Sequence, residues 1–342
     1  MHFLRLATFA GLTAAAVTRR QDEQRCVDPV TRVEWRDLEP EVQQTYINAV
    51  LCLKTKPSRI GLNTSLYDDF PYVHQKYNTI IHHVAGFLPW HRYFVQVYGD
   101  ALRECGYEGA ATYWDWTLDV MKFAESPIMS STLGFGYDGS DSRTETLTSG
   151  QTIRCVDSGP FSKLRPSYIA LSVTEVIQEE HCFFRSLTDG DTEASRISAN
   201  FYNATYIDIV QSEETFETYR LKLEGGPHGT IHSVLGGEMN PTTSPNGQSR
   251  FTNTVAQRPL LICLEPLFFL HHAQIDRLWW KWQQENPSNR EFEYAGQAAH
   301  LNSTELVPAS LDDMLLMGGL AEDLRVRDVI TTNSRLCYKY AN

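Results

Sequence analysis

Apolar residues recur every three or four positions along residues 41–55 (EVQQTYINAVLCLKT), around 91–105, over 172–186 and over 266–285, the spacing that lines one face of a helix. Pro266 suits a first helical turn, where its missing N–H breaks no intrahelical bond. Alternation of apolar and polar residues, the mark of a half-buried strand, is sparse, so the pattern predicts a mainly α fold with few short strands. Residues 126–160 and 239–258 are rich in Ser, Thr, Gly, Asp and Asn and read as long surface loops. Long loops in a compact domain often wall a site. No repeat, low-complexity tract or linker interrupts the chain, so residues 21–342 are expected to form one domain.

The first twenty residues, MHFLRLATFAGLTAAAVTRR, set Arg5 ahead of an apolar run that closes on Ala14-Ala15-Ala16, the layout of a secretory signal peptide. Arg19-Arg20 ends the run before it reaches the roughly 20 apolar residues that a membrane span needs. The same pair reads as a dibasic processing site. The expectation is a secreted protein with no membrane segment once the signal is removed. Asn63-Thr64-Ser65, Asn203-Ala204-Thr205 and Asn302-Ser303-Thr304 are acceptors for N-glycans, whereas Asn286-Pro287-Ser288 is disqualified by its proline.

Seven cysteines (Cys26, Cys52, Cys105, Cys155, Cys182, Cys263, Cys337) lie scattered without a Cys-x-x-Cys pair. That disfavours a zinc knuckle and suits disulfides in an oxidising compartment. Seven is odd, so at least one thiol is left over, and the spacing does not give the pairing. The chain has 342 residues, 42% of them hydrophobic, with 42 acidic against 30 basic side chains for a formal charge of −12. That is a globular composition, and an acidic surface without a Lys/Arg track excludes nucleic acid as a partner.

Eight of the eleven histidines gather in two regions: YVHQKYNTIIHHVAGFLPWHRYF, with His74, His82, His83 and His91, and a later one formed by GGPHGTIHSVLGG and EPLFFLHHAQIDRLWW, with His228, His232, His271 and His272. His228 and His232 stand at i and i+4, where two side chains on a helix share one side and can share one ion. A lone pair of that kind is more often a coincidence. Here the company changes the reading, because two sets of three imidazoles can be assembled, neither containing a carboxylate. Such donor sets argue against magnesium, calcium and non-haem iron and leave copper or zinc.

The surrounding residues decide between them. His82, four residues, Phe87-Leu88, one residue and Trp90-His91-Arg92 form one run; Pro266, Phe268, Phe269, His272, three residues and Asp276 form a second. These resemble the first and second copper signatures of the tyrosinase, catechol oxidase and haemocyanin family of binuclear (type 3) copper proteins, in particular its short secreted fungal form. CVDPVTRVEWRDL at 26–38, TYWDW at 112–116 and Tyr338-Lys339-Tyr340 also look like family landmarks. The resemblance implies a four-helix-bundle core in which His74, His82 and His91 hold one copper (CuA) and His228, His232 and His272 the other (CuB), with O2 as co-substrate. His82 and His272 stand at the signature distances, so His83 and His271, like His181 and His300, are taken as non-ligands.

Further roles follow from the same resemblance. Phe268, His272 and Asp276 share a helix face; Phe268 would pack beside the ligands, and Asp276 would either accept a hydrogen bond from a ligand ring or pair with a residue such as Arg92. Glu224, four residues before His228, is similar to a glutamate that holds a water beside CuB in relatives and would accept a proton; the alternative is a solvated acid before a Gly-Gly turn. Gly229 occupies a position, often Asn in efficient monophenol hydroxylases, that tunes activity. Three departures stand out: Gly99 where the first signature closes with Glu, expected to answer a close-packing need; Glu265 for Asp before Pro266, expected to be a weaker helix cap; and Ile80 in place of a cysteine that forms a thioether in many fungal relatives.

The implied activity is oxidation of o-diphenols, o-aminophenols or, less favoured, monophenols to o-quinones, two adjacent Cu(I) ions supplying the two electrons that take O2 to the peroxide level. A tailoring oxidase of a phenolic metabolite, or of tyrosyl residues in a precursor peptide, is the alternative within this class. A haemocyanin-like O2 carrier and a zinc hydrolase are the other classes. The Tyr-x-Tyr landmark near the end of the chain implies that the C-terminal plug of many tyrosinases is missing and that protease treatment would not raise activity.

Overall fold

The computed structural model describes residues 26–170, 175–239, 265–299 and 303–341. The signal peptide and dibasic site, Cys263, His300, Asn302 and nearly all of the 239–258 loop lie outside the described residues.

Helix α1 (Pro40–Leu53) opens with proline at its first position, where the missing N–H breaks no intrahelical bond. It is followed by α2 (Leu66–Ile81) and α3 (Phe87–Glu104). Helix α2 carries Leu66, Phe70, Val73, Tyr77 and Ile81 at helical spacing although Pro71 lies inside it, and it is started by a capping box in which Ser65 and Asp68 satisfy each other's backbone amides. Asp68 is further held by Lys54 at 2.7 Å and by Ser167. Short helices α4 (Glu193–Ala199), α5 (Ala204–Gln211) and α6 (Phe216–Leu223) lead into a wide turn, Glu224–His228, and α7 (Gly229–Leu235). The 19-residue α8 (Leu267–Glu285) begins beside Pro266, and α9 (Pro287–Arg290) and α10 (Val326–Val329) close the helical set.

The described strands pair two by two: β1 (Val30–Arg32) parallel to β8 (Tyr338–Tyr340), and antiparallel β2 (Gly139–Thr146) with β3 (Thr152–Val156), β4 (Tyr168–Ala170) with β5 (Val176–Gln178), and β6 (Met314–Leu315) with β7 (Leu324–Arg325). Two expectations are corrected. Residues 175–186, the described part of the expected 172–186 helix, do not form one: β-branched Val176-Ile177 pair with Ile169-Ala170, and the Cys155–Cys182 disulfide ties the segment to β3. The 126–160 stretch is a surface loop only in part, since its middle folds into the β2–β3 hairpin.

Two more disulfides, Cys52–Cys105 and Cys26–Cys337, join α1 to the end of α3 and the first described residue to the C-terminal strand. The core is rich in aromatic rings: Trp90 stacks on Phe94 at 4.5 Å, and Phe70 meets Phe94, Tyr98 and Phe269 edge-on or tilted. Gly99 sits in this packing on α3, but an added Cβ would meet only Ala111 at 4.0 Å, an ordinary contact. The expected close-packing need for glycine there is therefore absent. Glu265 is likewise not simply a weaker cap. Buried, it accepts two hydrogen bonds from Arg185 at 2.7 and 2.8 Å and another from the amide of Leu267, fastening the start of α8 to the segment after β5.

Candidate metal centre

Helices α2, α3, α7 and α8 aim their histidines into one buried space. From α2 come His74 and, at its C-terminal cap, His82; α3 contributes His91 one turn after Phe87. These three rings lie 4.9–5.4 Å apart between centroids, and Nε2 of His74 is 3.3 Å from Nε2 of His91. Nδ1 of His82 faces the carbonyl of Asn78 at 3.0 Å and Nδ1 of His91 that of Phe87 at 2.8 Å. A carbonyl only accepts, so Nδ1 carries the proton and Nε2 keeps a free lone pair, the state a metal ligand requires.

The second group repeats this logic. Nδ1 of His228 donates to the carbonyl of Glu224 at 3.1 Å and Nδ1 of His232 to that of Met239 at 2.7 Å, while Nε2 of both rings has no protein partner. The wide turn that delivers His228 depends on its small residues: a Cβ on Gly226 would come within 2.7 Å of the Tyr206 ring, and Pro227 has no N–H to continue a regular helix. His272 on α8 completes the trio, 5.0 Å from His228 and 5.6 Å from His232. It also stacks on His91 at 4.3 Å and 11°, so the two trios face each other.

Burial pushes every one of these histidines down, aided by neighbouring imidazoles in all but His232, with His82 at about 3 and His232 at about 4, so all are neutral at physiological pH. His74, His82 and His91 form one set able to hold an ion; His228, His232 and His272 belong to the other, which also includes His271. His271, read from the sequence as a non-ligand, thus lies among the rings of the second group. Sequence offered a signal only in the adjacency of the two rings. Buried nitrogen donors without a carboxylate fit copper or zinc and not the hard oxygen-seeking cations.

The remaining predicted residues fall as follows. Phe268 packs against His272 at 4.2 Å and His74 at 5.0 Å, in contact with both groups. Asp276 touches no histidine. Its oxygens accept from Arg92, Arg32 (3.3 Å), Tyr338 and Tyr340, all buried, which corrects its expected role as acceptor for a ligand ring and leaves the Arg92 pairing. Burial would raise its pKa, but Arg92, Arg32 and the two hydroxyls outweigh that and hold the carboxyl below the usual range. Arg92 follows His91 and Asp276 lies one turn beyond His272, so the pair locks α3 to α8 just behind the stacked rings. Sequence reasoning missed Arg32, whose guanidinium lies 3.4 Å over the Tyr338 ring, because its partners are 244 and 308 residues away.

Glu224 is buried too, not a solvated acid. One oxygen accepts from Arg220 at 2.8 Å and the other from the backbone N–H of His83 at 2.6 Å, joining the residue after His82 to the turn that carries His228. Burial pushes its pKa up to about 7, with Arg220 and the His83 amide offsetting only part of that. Gly229 is half-buried at the start of α7, where a Cβ would find only the Glu224 carbonyl, at 3.4 Å. His83 takes a left-handed φ of 60° and joins neither group. His181 pairs with Glu238 at 2.8 Å, also outside both groups.

The family profile for the common central domain of tyrosinase matches residues 64–285, a span that encloses every histidine of both groups. A tyrosinase of Aspergillus flavus, ustQ, is 40% identical over 317 residues, covering 92% of this chain and 80% of the relative. Tyrosinase-like protein phomQ2 of Diaporthe leptostromiformis is 39% identical over 318 residues, covering 92% and 74%. Among solved structures, a polyphenol oxidase variant from Thermothelomyces thermophila matches with a TM-score of 0.70 at 26% identity, over 92% of this chain and 89% of that one. Two facing clusters of neutral imidazoles, on a fold and a sequence shared with these proteins, make this chain a member of the tyrosinase family of copper oxidases.

Proposed function

We propose that the protein holds two copper ions, one on His74, His82 and His91 and the other on His228, His232 and His272, and uses O2 to oxidise o-diphenols and o-aminophenols in preference to monophenols. The observation that carries this reading is the facing geometry, with His91 stacked on His272 at 4.3 Å between two all-nitrogen donor sets. A bound copper pair supplies reversible one-electron centres, so that two diphenols, each giving up two electrons and two protons, reduce one O2 to two waters.

The chain's own residues do the rest. Backbone carbonyls of Asn78, Phe87, Glu224 and Met239 fix four of the rings with Nε2 outward. Phe268 fills the space beside both groups and keeps water out. Glu224, buried within reach of both halves, accepts a proton from the phenol through a water. Gly229 leaves the approach beside His228 without a polar side chain to draw a monophenol's proton toward that water, which favours substrates already carrying two exchangeable groups.

Residues 1–20 direct the chain to the secretory pathway, and residues 21–342 form the catalytic domain. The three disulfides support an oxidising destination. Asn63 is exposed and available for a glycan; Asn203 caps α5 through Oδ1, leaving its amide nitrogen free. No described helix is long and apolar enough to cross a membrane.

Oxygen uptake by copper-loaded protein on catechol, an o-aminophenol, tyrosine and a tyrosyl peptide tests the proposal. Fastest uptake on catechol or the o-aminophenol is expected. Fastest uptake on the peptide would favour the tailoring role instead; reversible O2 binding without turnover, or activity only with zinc, would overturn the reading.

A further inference from the structure

Four rings of the two trios donate through Nδ1 to a backbone carbonyl, but not by the same route. For His82, His91 and His228 that carbonyl stands four residues earlier, at Asn78, Phe87 and Glu224, so their own helical turn supplies it. For His232 it stands seven residues later, at Met239, beyond the end of α7. No helix places that carbonyl, so contacts from elsewhere in the chain must. The backbone doubles back there because Gly236 and Gly237 take left-handed φ of 59° and 49°, and a Cβ on either would collide with the carbonyl oxygens of Ser186 and Phe184. Glu238, between this turn and Met239, is fully buried. Its amide donates to the Phe184 carbonyl at 3.2 Å, and its Oε1 lies 2.8 Å from Nε2 of buried His181. Nδ1 of His181 donates to the Glu179 carbonyl at 2.8 Å, so the Nε2 contact holds one further proton, shared between ring and carboxyl. Burial would lower the His181 pKa, but Glu238 outweighs it and raises it; burial pushes Glu238 itself up to about 6. Cys182, disulfide-bonded to Cys155, anchors His181 from the next position.

Resting on the copper reading above, we propose that His181 and Glu238 are positioning residues for His232. The pair holds the Gly236–Met239 turn so that the Met239 carbonyl keeps His232 protonated on Nδ1, with Nε2 open to the metal. Neither residue belongs to the histidine groups; both act through Met239. A neutral imidazole carries its proton on either nitrogen, and only the partner on Nδ1 decides which. His82, His91 and His228 need no such prop, because their carbonyls come with their own helical turns. Loss of the His181–Glu238 contact should therefore be felt at the second metal position and not at the first.

Metal-free protein gives a readout that does not depend on copper. With nitrogen-15-labelled histidine, nuclear magnetic resonance separates the two tautomers of a ring, and the His232 signals are those missing from His232→Gln. Wild type should show His232 protonated on Nδ1 alone. Glu238→Ala and His181→Phe should each let the ring exchange between both tautomers. Loaded with copper, each should surrender one of its two ions to a competing chelator about tenfold faster, and the other at the unchanged rate. Glu238→Gln isolates the hydrogen bond, since its amide donates to Nε2 of a neutral His181; it should match wild type in both measurements. An unchanged His232 tautomer in folded Glu238→Ala or His181→Phe overturns the proposal. So does equal loss of both coppers, or a Glu238→Gln protein as defective as Glu238→Ala. Circular dichroism checks the fold, and if Glu238→Ala does not fold, His181→Phe decides. Failure of wild-type protein to take up any copper would instead overturn the two-copper reading, while the tautomer of His232 still tests the positioning.

Discussion

The two histidine groups reach the same density of imidazoles by different routes. The first comes from residues 74–91, two consecutive helices and one cap, so its geometry is largely a local property of α2, α3 and the short connection between them. The second is gathered from a wide turn, a seven-residue helix and the start of α8. It depends on a glycine that lets Tyr206 approach and on distant anchors such as Glu265–Arg185. It also carries a spare ring. The lesson is that a ligand set built locally needs little beyond its helices, whereas one assembled across the chain is held by buried polar contacts that lie outside the ligand signature. The halves are coupled by Glu224, which joins the His83 amide to the turn that carries His228, and more deeply by the Arg92–Asp276 pair.

That coupling should give the largest effect when broken. Asp276→Ala leaves Arg92 and Arg32 buried without their counter-charge, and should cost about 3–5 kcal/mol. Denaturant unfolding of the metal-free protein would show it, together with loss of copper from both positions; loss from one position alone would mean that the pair does not couple them. Next, Gly226→Ala drives a methyl into the Tyr206 ring. It is expected to cost about 1–3 kcal/mol and to lower copper retention at the second position only, which metal analysis after dialysis would reveal. The smallest change has the opposite sign. Gly99→Ala on α3 meets no close atom and should stabilise by up to about 1 kcal/mol, read as a higher thermal midpoint with copper content unchanged.

Much of the site was legible because its chemistry is written in short runs. Helices at 41–55, 91–105 and 266–285 show their period, and the two histidine runs carry their ligands at helical spacing. Helix α2 was missed although Leu66, Phe70, Val73, Tyr77 and Ile81 keep helical spacing, because Pro71 inside the run reads as a helix breaker while the Ser65–Asp68 cap starts the helix all the same. The 172–186 segment misled because spaced apolar residues do not distinguish a helix from a strand held by a disulfide. For Asp276 the sequence offered Arg92 as one alternative, while its further partners Arg32, Tyr338 and Tyr340 come from β1 and β8 at the two ends of the chain. The convergence of His271 with its neighbours was invisible for the same reason: it depends on where α7 packs against α8.

The most direct measurement is the copper content of purified wild-type protein beside its His91→Ala and His232→Ala variants. Two coppers per chain in the wild type are expected, with one lost in each variant and both O2 binding and catechol oxidation abolished by His232→Ala. Undiminished copper and full activity in either variant, or zinc in place of copper in active wild-type protein, would contradict the assignment of the two facing histidine groups.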